Sequence, residues 1–372
     1  MGALLEKPIT EKETEQGAHG DIRYAVSSMQ GWRPEMEDAH VARLDLEQLE
    51  GFAIFCVFDG HGGAFTSKFA QEHVISVLCR QEHFQMYQAL PAQSLRDHPI
   101  GLELLQSALL TTYLELDEDM VNNNARLIVG EDGSHKVDKS GSTACSIVVT
   151  PKHILCINAG DSRAMYRTGG HTIQLSFDHK PHNAEERARI EAAGGYVSMK
   201  RVDGDLAVSR CLGDFHYKSS PELPPDLQKV TCIPDFVVVN RDLLCDEFIL
   251  LACDGIWDVL SCWQCSDLIQ TILDEGETDL GLVVEEVLDV CLEKQSKDNM
   301  TALLVAFRNL RFGSGGGVAA RRLLRQKRVE EDERKREEKE HAKRKLKAEA
   351  EEVRRRLAQR AKNREEWDSD SD

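Results

Sequence analysis

Twice in this chain an apolar run of strand length stops on Asp-Gly, and the sequence then changes to helical spacing. In GFAIFCVFDGHGG, residues 51–63, the run meets Asp59, Gly60, His61 and two further glycines. Asp-Gly by itself is common hairpin chemistry. The next stretch, AFTSKFAQEHVISVLCR, instead repeats Phe65, Phe69, Val74, Val77 and Leu78 at helical intervals. In EFILLACDGIWD the pattern returns at Asp254 and Gly255, with Asp258 one helical turn later. Strand, acidic turn and helix make a poor hairpin and a good place to hold a cation.

Two more carboxylates occupy comparable positions. SKDNMTALLVAF sets Asp298 and Asn299 just ahead of an apolar strand, and HILCINAGDSRAM sets Asp161 between two strands. Carboxylates gathered at core-strand ends repel one another unless a counter-charge stands among them. A divalent cation removes that conflict, and carboxylate, carbonyl and water oxygens select Mg²⁺ or Mn²⁺ over zinc. MQGWRPEMEDAH, residues 29–40, brings Arg33 ahead of Glu35, Glu37 and Asp38. Beside such a site an arginine forms a structural ion pair or grips an anionic substrate group, and residue types alone leave both open.

Strand-like runs occur at RYAVSS, FAIFCVF, TACSIVVT, HILCINAG, RAMYRT, FVVVN, EFILLACD and MTALLVAF. Helical stretches fall at 64–80, 102–124, 183–193 and 264–294, the last broken near Gly276. Helices do not come after every strand, so the pattern is α+β, sheets covered by helices, rather than a doubly wound parallel sheet. With 372 residues, 41% of them hydrophobic, the chain can bury a sizeable core.

Residues 1–20 are polar and read as a mobile N-terminus, and 21–310 as the globular body. Residues 311–372 read as a glycine linker (Gly313 to Gly317), a solvated charged helix and an acidic disordered end. In the helix, Glu331 and Lys335 attract while Glu333 and Glu337 repel. The net charge of −18 is uneven. Residues 321–372 hold 19 Lys or Arg against 15 Asp or Glu; taken from totals of 46 and 64, this leaves 27 against 49 in the rest. So acidic a body disfavours nucleic acid and suits a cation-loaded site. The eleven cysteines are scattered through strand-like runs, the pattern of packed reduced thiols. The CWQC pair, Cys262 and Cys265, has no second pair at metal spacing and reads as buried. No run approaches membrane-span length, and no secretory apolar segment opens the chain.

The segments SSMQGWRPEMEDAH, FDGHGG, SGSTA, NAGDSRA, DHKP, AGG, LAVSRCLGD, LACDGIWDV and KDNMTALLV, in this order and spacing, resemble the metal-dependent protein phosphatases of type 2C. The likeness runs over residues 1 to about 310, and MGALLEKP is similar to the alpha and beta members. The resemblance implies a four-layer α-β-β-α sandwich of two antiparallel sheets, with two Mg²⁺ or Mn²⁺ ions in a cleft at one end. It implies that Asp59 bridges both ions, that the Gly60 carbonyl binds the second, and that Asp254 and Asp298 bind the first. Glu37 and Asp38 would hold metal-bound waters, and Arg33 would grip the substrate phosphate. His61 would protonate the leaving serine or threonine oxygen; the alternative is a turn residue hydrogen-bonding locally. Asp161 and Asp258 would hold a weaker third ion, and the stretch after Arg201 would form a variable flap beside the site. The substrates would be phosphoserine and phosphothreonine proteins. No cysteine is followed by Arg six positions on, so the tyrosine-phosphatase loop is absent.

The same resemblance has limits. The alpha and beta members carry a helical C-terminal subdomain where this chain has its glycines and charged helix, so the tail's partner is unassigned. Gly2 is a candidate for N-myristoylation, although residue 6 is Glu rather than Ser or Thr. One acyl chain gives at most weak membrane association. A monomer in the cytoplasm, and in the nucleus through KRKLK, is the expectation. Ser369 and Ser371 are candidate sites for an acid-directed kinase. The competing reading is a catalytically inactive phosphoprotein binder or a tail-mediated scaffold of the same fold.

Overall fold

The computed structural model describes residues 4–46, 49–122, 126–129 and 135–369. Its principal strands are β1 (Ile9–His19), β2 (Ile22–Gly31), β3 (Ala39–Arg43), β4 (Ala53–Phe58), β5 (Ala144–Val149) and β6 (His153–Ala159). They continue with β7 (Arg163–Thr168), β8 (His171–Gln174), β9 (Asp235–Asn240), β10 (Asp246–Ala252) and β11 (Met300–Phe307). The longer helices are α1 (Phe65–Arg80), α2 (Glu82–Ala89), α3 (Pro99–Asn122), α4 (Ala184–Ala192), α5 (Cys262–Asp274), α6 (Leu280–Glu293) and α7 (Gly317–Ser369). The strands form a six-stranded sheet, β1-β2-β11-β10-β7-β8, and a five-stranded sheet, β9-β6-β5-β4-β3, both antiparallel throughout.

The two sheets face one another, and this explains why β4 is apolar at every position. Phe55 and Val57 point into the space between the sheets, against Val26, Ile249, Leu251 and Leu303. Ile54, Cys56 and Phe58 point the other way, against Phe69 and Val77 of α1 and Leu109 and Tyr113 of α3. A strand buried on both faces loses the alternation that a half-exposed strand shows. On the far side α6 packs on β2 and β11, and α5 packs on α6 and β8. Four layers result, as the resemblance implied. Cys262 and Cys265 are buried in the first turn of α5, behind a Ser261–Gln264 capping box, and all eleven cysteines are free thiols.

Three expectations are corrected. Residues 9–19 are not mobile: they form edge strand β1, paired antiparallel with β2. Its polar sequence hid it because backbone hydrogen bonds hold an edge strand without an apolar face, helped by Lys12–Asp289 at 2.6 Å. The glycine segment is only partly a free joint. Gly313 N–H donates to the Leu273 carbonyl at 2.9 Å, and the chain divides between Gly315 and Gly316 rather than at 310. Finally, α7 continues through the end expected to be disordered, as far as Ser369; Ser371 lies outside the described residues. Its exposed i,i+4 pairs include Glu331–Lys335 at 2.7 Å and Glu352–Arg356 at 2.6 Å.

Phe55 spans the inter-sheet core, its ring 5.8 Å from that of Tyr24. Phe55→Ala is expected to lower the unfolding free energy by about 3–5 kcal/mol through the cavity it leaves. A urea titration read by fluorescence checks this: the midpoint should fall with little change in slope.

Candidate metal centre and active-site cleft

The sheets bring four chain segments to one end of the sandwich. β4 runs out into Asp59; β10 runs out through Cys253 into a short helix that opens on Asp254. In the same sheet as β10, β2 runs out into Trp32 and Arg33, and β11 starts just after Asp298 and Asn299. The backbone N–H of Asp254 donates to Asp59 Oδ2 at 3.3 Å, so the two Asp-Gly turns meet across the sheets. Carboxylate oxygens of Asp59, Asp161 and Asp254 lie within 4.8 Å of one another. Asp258, one turn beyond Asp254, and Asp298 lie outside that triad, yet their charges act on Asp254.

The electrostatic result is severe. Burial, and then the charges of Asp254, Asp38, Asp161 and Asp298, hold the Asp59 carboxyl well above its ordinary pKa. Asp254 is raised in the same way, by burial first and by Asp161 and Asp298 next. Burial pushes Asp38 up to about 6 and also raises Glu37 and Asp258. Among the described residues two protein cations form ion pairs with the cluster: Arg33 with Asp298 at 2.6 Å, and Lys180 with Asp161. Among the described residues no Lys or Arg forms an ion pair with Asp38, Asp59 or Asp254.

Neighbouring polar groups fix this geometry. Asn299 Oδ1 accepts from Glu37 N at 3.0 Å, while its Nδ2 donates to the Gln30 and Glu35 carbonyls at 2.8 and 3.0 Å. The loop bearing Arg33 and Glu37 is thereby tied to the start of β11. Asp38 accepts from the Thr301 hydroxyl at 2.7 Å, and Glu37 Oε1 accepts from Gly63 N at 2.6 Å. A side chain at Gly60 would collide with the Glu37 carbonyl, so only glycine lets the two loops approach.

His61 stands at the rim, its side chain 31% exposed, with Nε2 2.6 Å from Asp214 Oδ2. Burial opposes charge on Asp214, but the hydrogen bond and charge of His61 outweigh it and keep that carboxyl below its ordinary range. Asp214 and Lys180 are functional neighbours that motif reading left without roles, though both lie inside family-like segments, LAVSRCLGD and DHKP. A small hairpin, Val197–Ser198 with Arg201–Val202, leads into the stretch read as the flap. Gly2 lies outside the described residues.

The donor set fits hard divalent cations. It offers closely spaced carboxylate oxygens whose mutual repulsion is met only in part by Arg33 and Lys180. A layered sandwich presenting such a cluster, with an arginine and a histidine beside it, defines a metal-dependent phosphatase. The family profile described as Protein phosphatase 2C matches residues 22–300. Protein phosphatase 1A of Homo sapiens is 40% identical over 310 residues, covering 83% of this chain and 77% of that protein. Protein phosphatase 1B of Homo sapiens is 41% identical over 310 residues, 83% of this chain and 62% of that protein. A solved phosphatase from a pathogenic strain of Toxoplasma gondii superposes with a TM-score of 0.63 at 25% identity, covering 80% of this chain and 96% of that one. The chain belongs to the protein phosphatase 2C family and is a metal-dependent protein serine/threonine phosphatase.

The raised Asp59 carboxyl yields a test without turnover. A group whose folded pKa is raised adds stability below its unfolded pKa and loses it as pH rises through the folded one. In chelator, Asp59→Asn is therefore expected to melt several degrees above wild type at pH 7.5. The difference should shrink as pH falls toward 4, where wild type takes up the proton. Calorimetry across that range checks the sign.

Proposed function

We propose that Asp59, Asp254, Asp298 and the Gly60 carbonyl hold two Mg²⁺ or Mn²⁺ ions, with Asp59 shared, and that Asp161 and Asp258 hold a weaker third. When bound, such ions lower the pKa of water and offset phosphoryl charge. Glu37 and Asp38 then accept hydrogen bonds and orient the attacking water. Arg33 binds the phosphate through its guanidinium fork, which keeps donors beyond the one given to Asp298. His61 delivers a proton to the departing seryl or threonyl oxygen, held in place by Asp214. With Nε2 committed to that carboxylate, Nδ1 is the nitrogen that meets the substrate. No side-chain nucleophile is needed. The observation that carries this reading is the meeting of Asp59 and Asp254 across the two sheet ends, with the His61–Asp214 pair at its rim.

The test separates metal binding from proton transfer. Asp254→Ala is expected to lower Mn²⁺-supported phosphopeptide turnover by about 10² or more with the fold intact, in the range seen when one charge-stabilising group is lost. Wild-type activity should vanish in chelator. Turnover of Asp254→Ala within a few-fold of wild type at saturating Mn²⁺ would sink the ligand assignment.

His61→Gln is expected to cost roughly 10²–10⁴ on a phosphothreonine peptide, whose alkoxide leaves poorly. On para-nitrophenyl phosphate, whose leaving group needs little protonation, the loss should be small. Equal losses on both substrates would reject the general-acid role.

A further inference from the structure

We propose that His61 Nε2, Cys211 Sγ and Asp214 Oδ2 form a zinc site beside the carboxylate cluster, and that Zn²⁺ bound there inhibits the phosphatase. The three donor atoms lie within 4.8 Å of one another, with Nε2 at 2.6 Å and Sγ at 3.3 Å from Asp214 Oδ2. Nitrogen, sulfur and one oxygen form a borderline-soft set of three protein ligands with a fourth position open, the pattern zinc takes and Mg²⁺ or Mn²⁺ do not. The neighbouring Asp59, Asp161 and Asp254 offer only oxygen, and the adjoining group of Asp38, Asp59 and the buried Cys253 offers no nitrogen, so the set at His61 is the one that combines nitrogen, sulfur and oxygen among the described residues.

A short three-stranded sheet builds the site. Gly60–His61 pairs with Gly141–Ser142, which pairs on its other side with Leu212–Gly213. Cys211 and Asp214 flank the last strand, so the register brings them to His61. Gly141 lies between, and a side chain there would strike both His61 Nε2 and Asp214 Oδ2. Asp214 adopts a left-handed φ of 51°, uncommon for a residue other than glycine, with its N–H given to the Ser140 carbonyl at 3.1 Å. Nearby Lys218 leaves room for a cation, because its charge is met by Asp117 and it also donates to the Cys211 carbonyl at 2.8 Å.

Tetrahedral zinc bonds of about 2.0–2.3 Å set ligand atoms roughly 3.2–3.8 Å apart. The Cys211–Asp214 separation already fits. The His61–Asp214 separation must open by about 0.6 Å or more for that geometry, which the partly exposed imidazole permits. Burial, then the Asp214 charge, keep the Cys211 thiol protonated and chemically quiet. Coordination forms Zn–N, Zn–S and Zn–O bonds and releases the Cys211 thiol proton and the His61 Nε2 proton to solvent, with nothing oxidised or reduced. Inhibition rests on the reading of His61 as the proton donor: zinc on Nε2 replaces the proton and the Asp214 contact that make the ring an imidazolium, and the Nδ1–H left facing the substrate is a far weaker acid toward the leaving oxygen.

The experiment pairs a binding readout with a kinetic one. Co²⁺ replaces Zn²⁺ as a spectroscopic probe in protein whose carboxylate cluster is saturated with Mg²⁺. Wild type should show a thiolate-to-cobalt charge-transfer band, displaced by Zn²⁺ at one equivalent, and Cys211→Ser should lack it. In buffered Zn²⁺ with saturating Mn²⁺, Cys211→Ser should keep basal turnover. It should need a zinc concentration higher by more than the roughly 10–100-fold cost of losing even an outer hydrogen-bond partner. Cys211→Ala serves equally should the serine variant fold poorly. Absence of the band in wild type, or zinc inhibition unchanged by Cys211→Ser and relieved by raising Mn²⁺, overturns the site. A band without inhibition overturns the regulatory role. Lack of Mn²⁺-supported turnover in zinc-free wild type would instead fail the catalytic reading, and the cobalt band would still decide the site.

Discussion

Repulsion among buried carboxylates is the constraint around which this structure is organised. Asp59 and Asp254 end core strands of opposite sheets and meet where neither has a cationic partner of its own among the described residues. A chain selected for stability alone would not bury like charges so close together, because each raises the cost of ionising the other. The cluster is the destabilised feature that the sandwich around it supports. Its apolar layers supply the stability that lets an unfavourable electrostatic arrangement persist at one end.

The supporting groups share one logic: they hold the carboxylates without neutralising them. Asn299 ties the Arg33–Glu37 loop to β11 with one acceptor and two donated bonds. Thr301 orients Asp38 by a single hydroxyl, itself 3.0 Å from the Ser28 hydroxyl on the next strand. These are neutral contacts. Charge compensation falls at the edges of the cluster, where Arg33 takes Asp298 and Lys180 takes Asp161. The centre therefore keeps the negative potential that attracts a hard cation, while the rim holds groups able to meet a phosphate.

His61 belongs to two neighbourhoods at once. Through the chain it comes directly after the Asp59–Gly60 turn, and through the small sheet it faces Cys211 and Asp214. Under the roles proposed above, a proton donor placed where a soft ligand set also converges couples catalysis to metal identity. Oxygen ligands and soft ligands sort different ions within a few ångströms.

Much of the candidate metal centre could be read along the chain because strand ends announce themselves: an apolar run, then Asp-Gly, then helical spacing. Asp59 and Asp254 emerged from that local grammar, Asp298 from its mirror, a carboxylate just ahead of an apolar strand, and the α+β layering from helices that do not follow every strand. Edge strand β1 did not, since its pairing is made by backbone groups that every residue carries. Nor did the His61–Asp214 pair, whose members are separated by 153 residues and brought together by the strand Gly141–Ser142 between them. The DHKP segment gave Lys180 no role, and it was the fold that set it against Asp161. Composition and periodicity report what a residue prefers to be near. Which particular charge it meets depends on strand order and register, and those exist only once the two sheets have closed on each other.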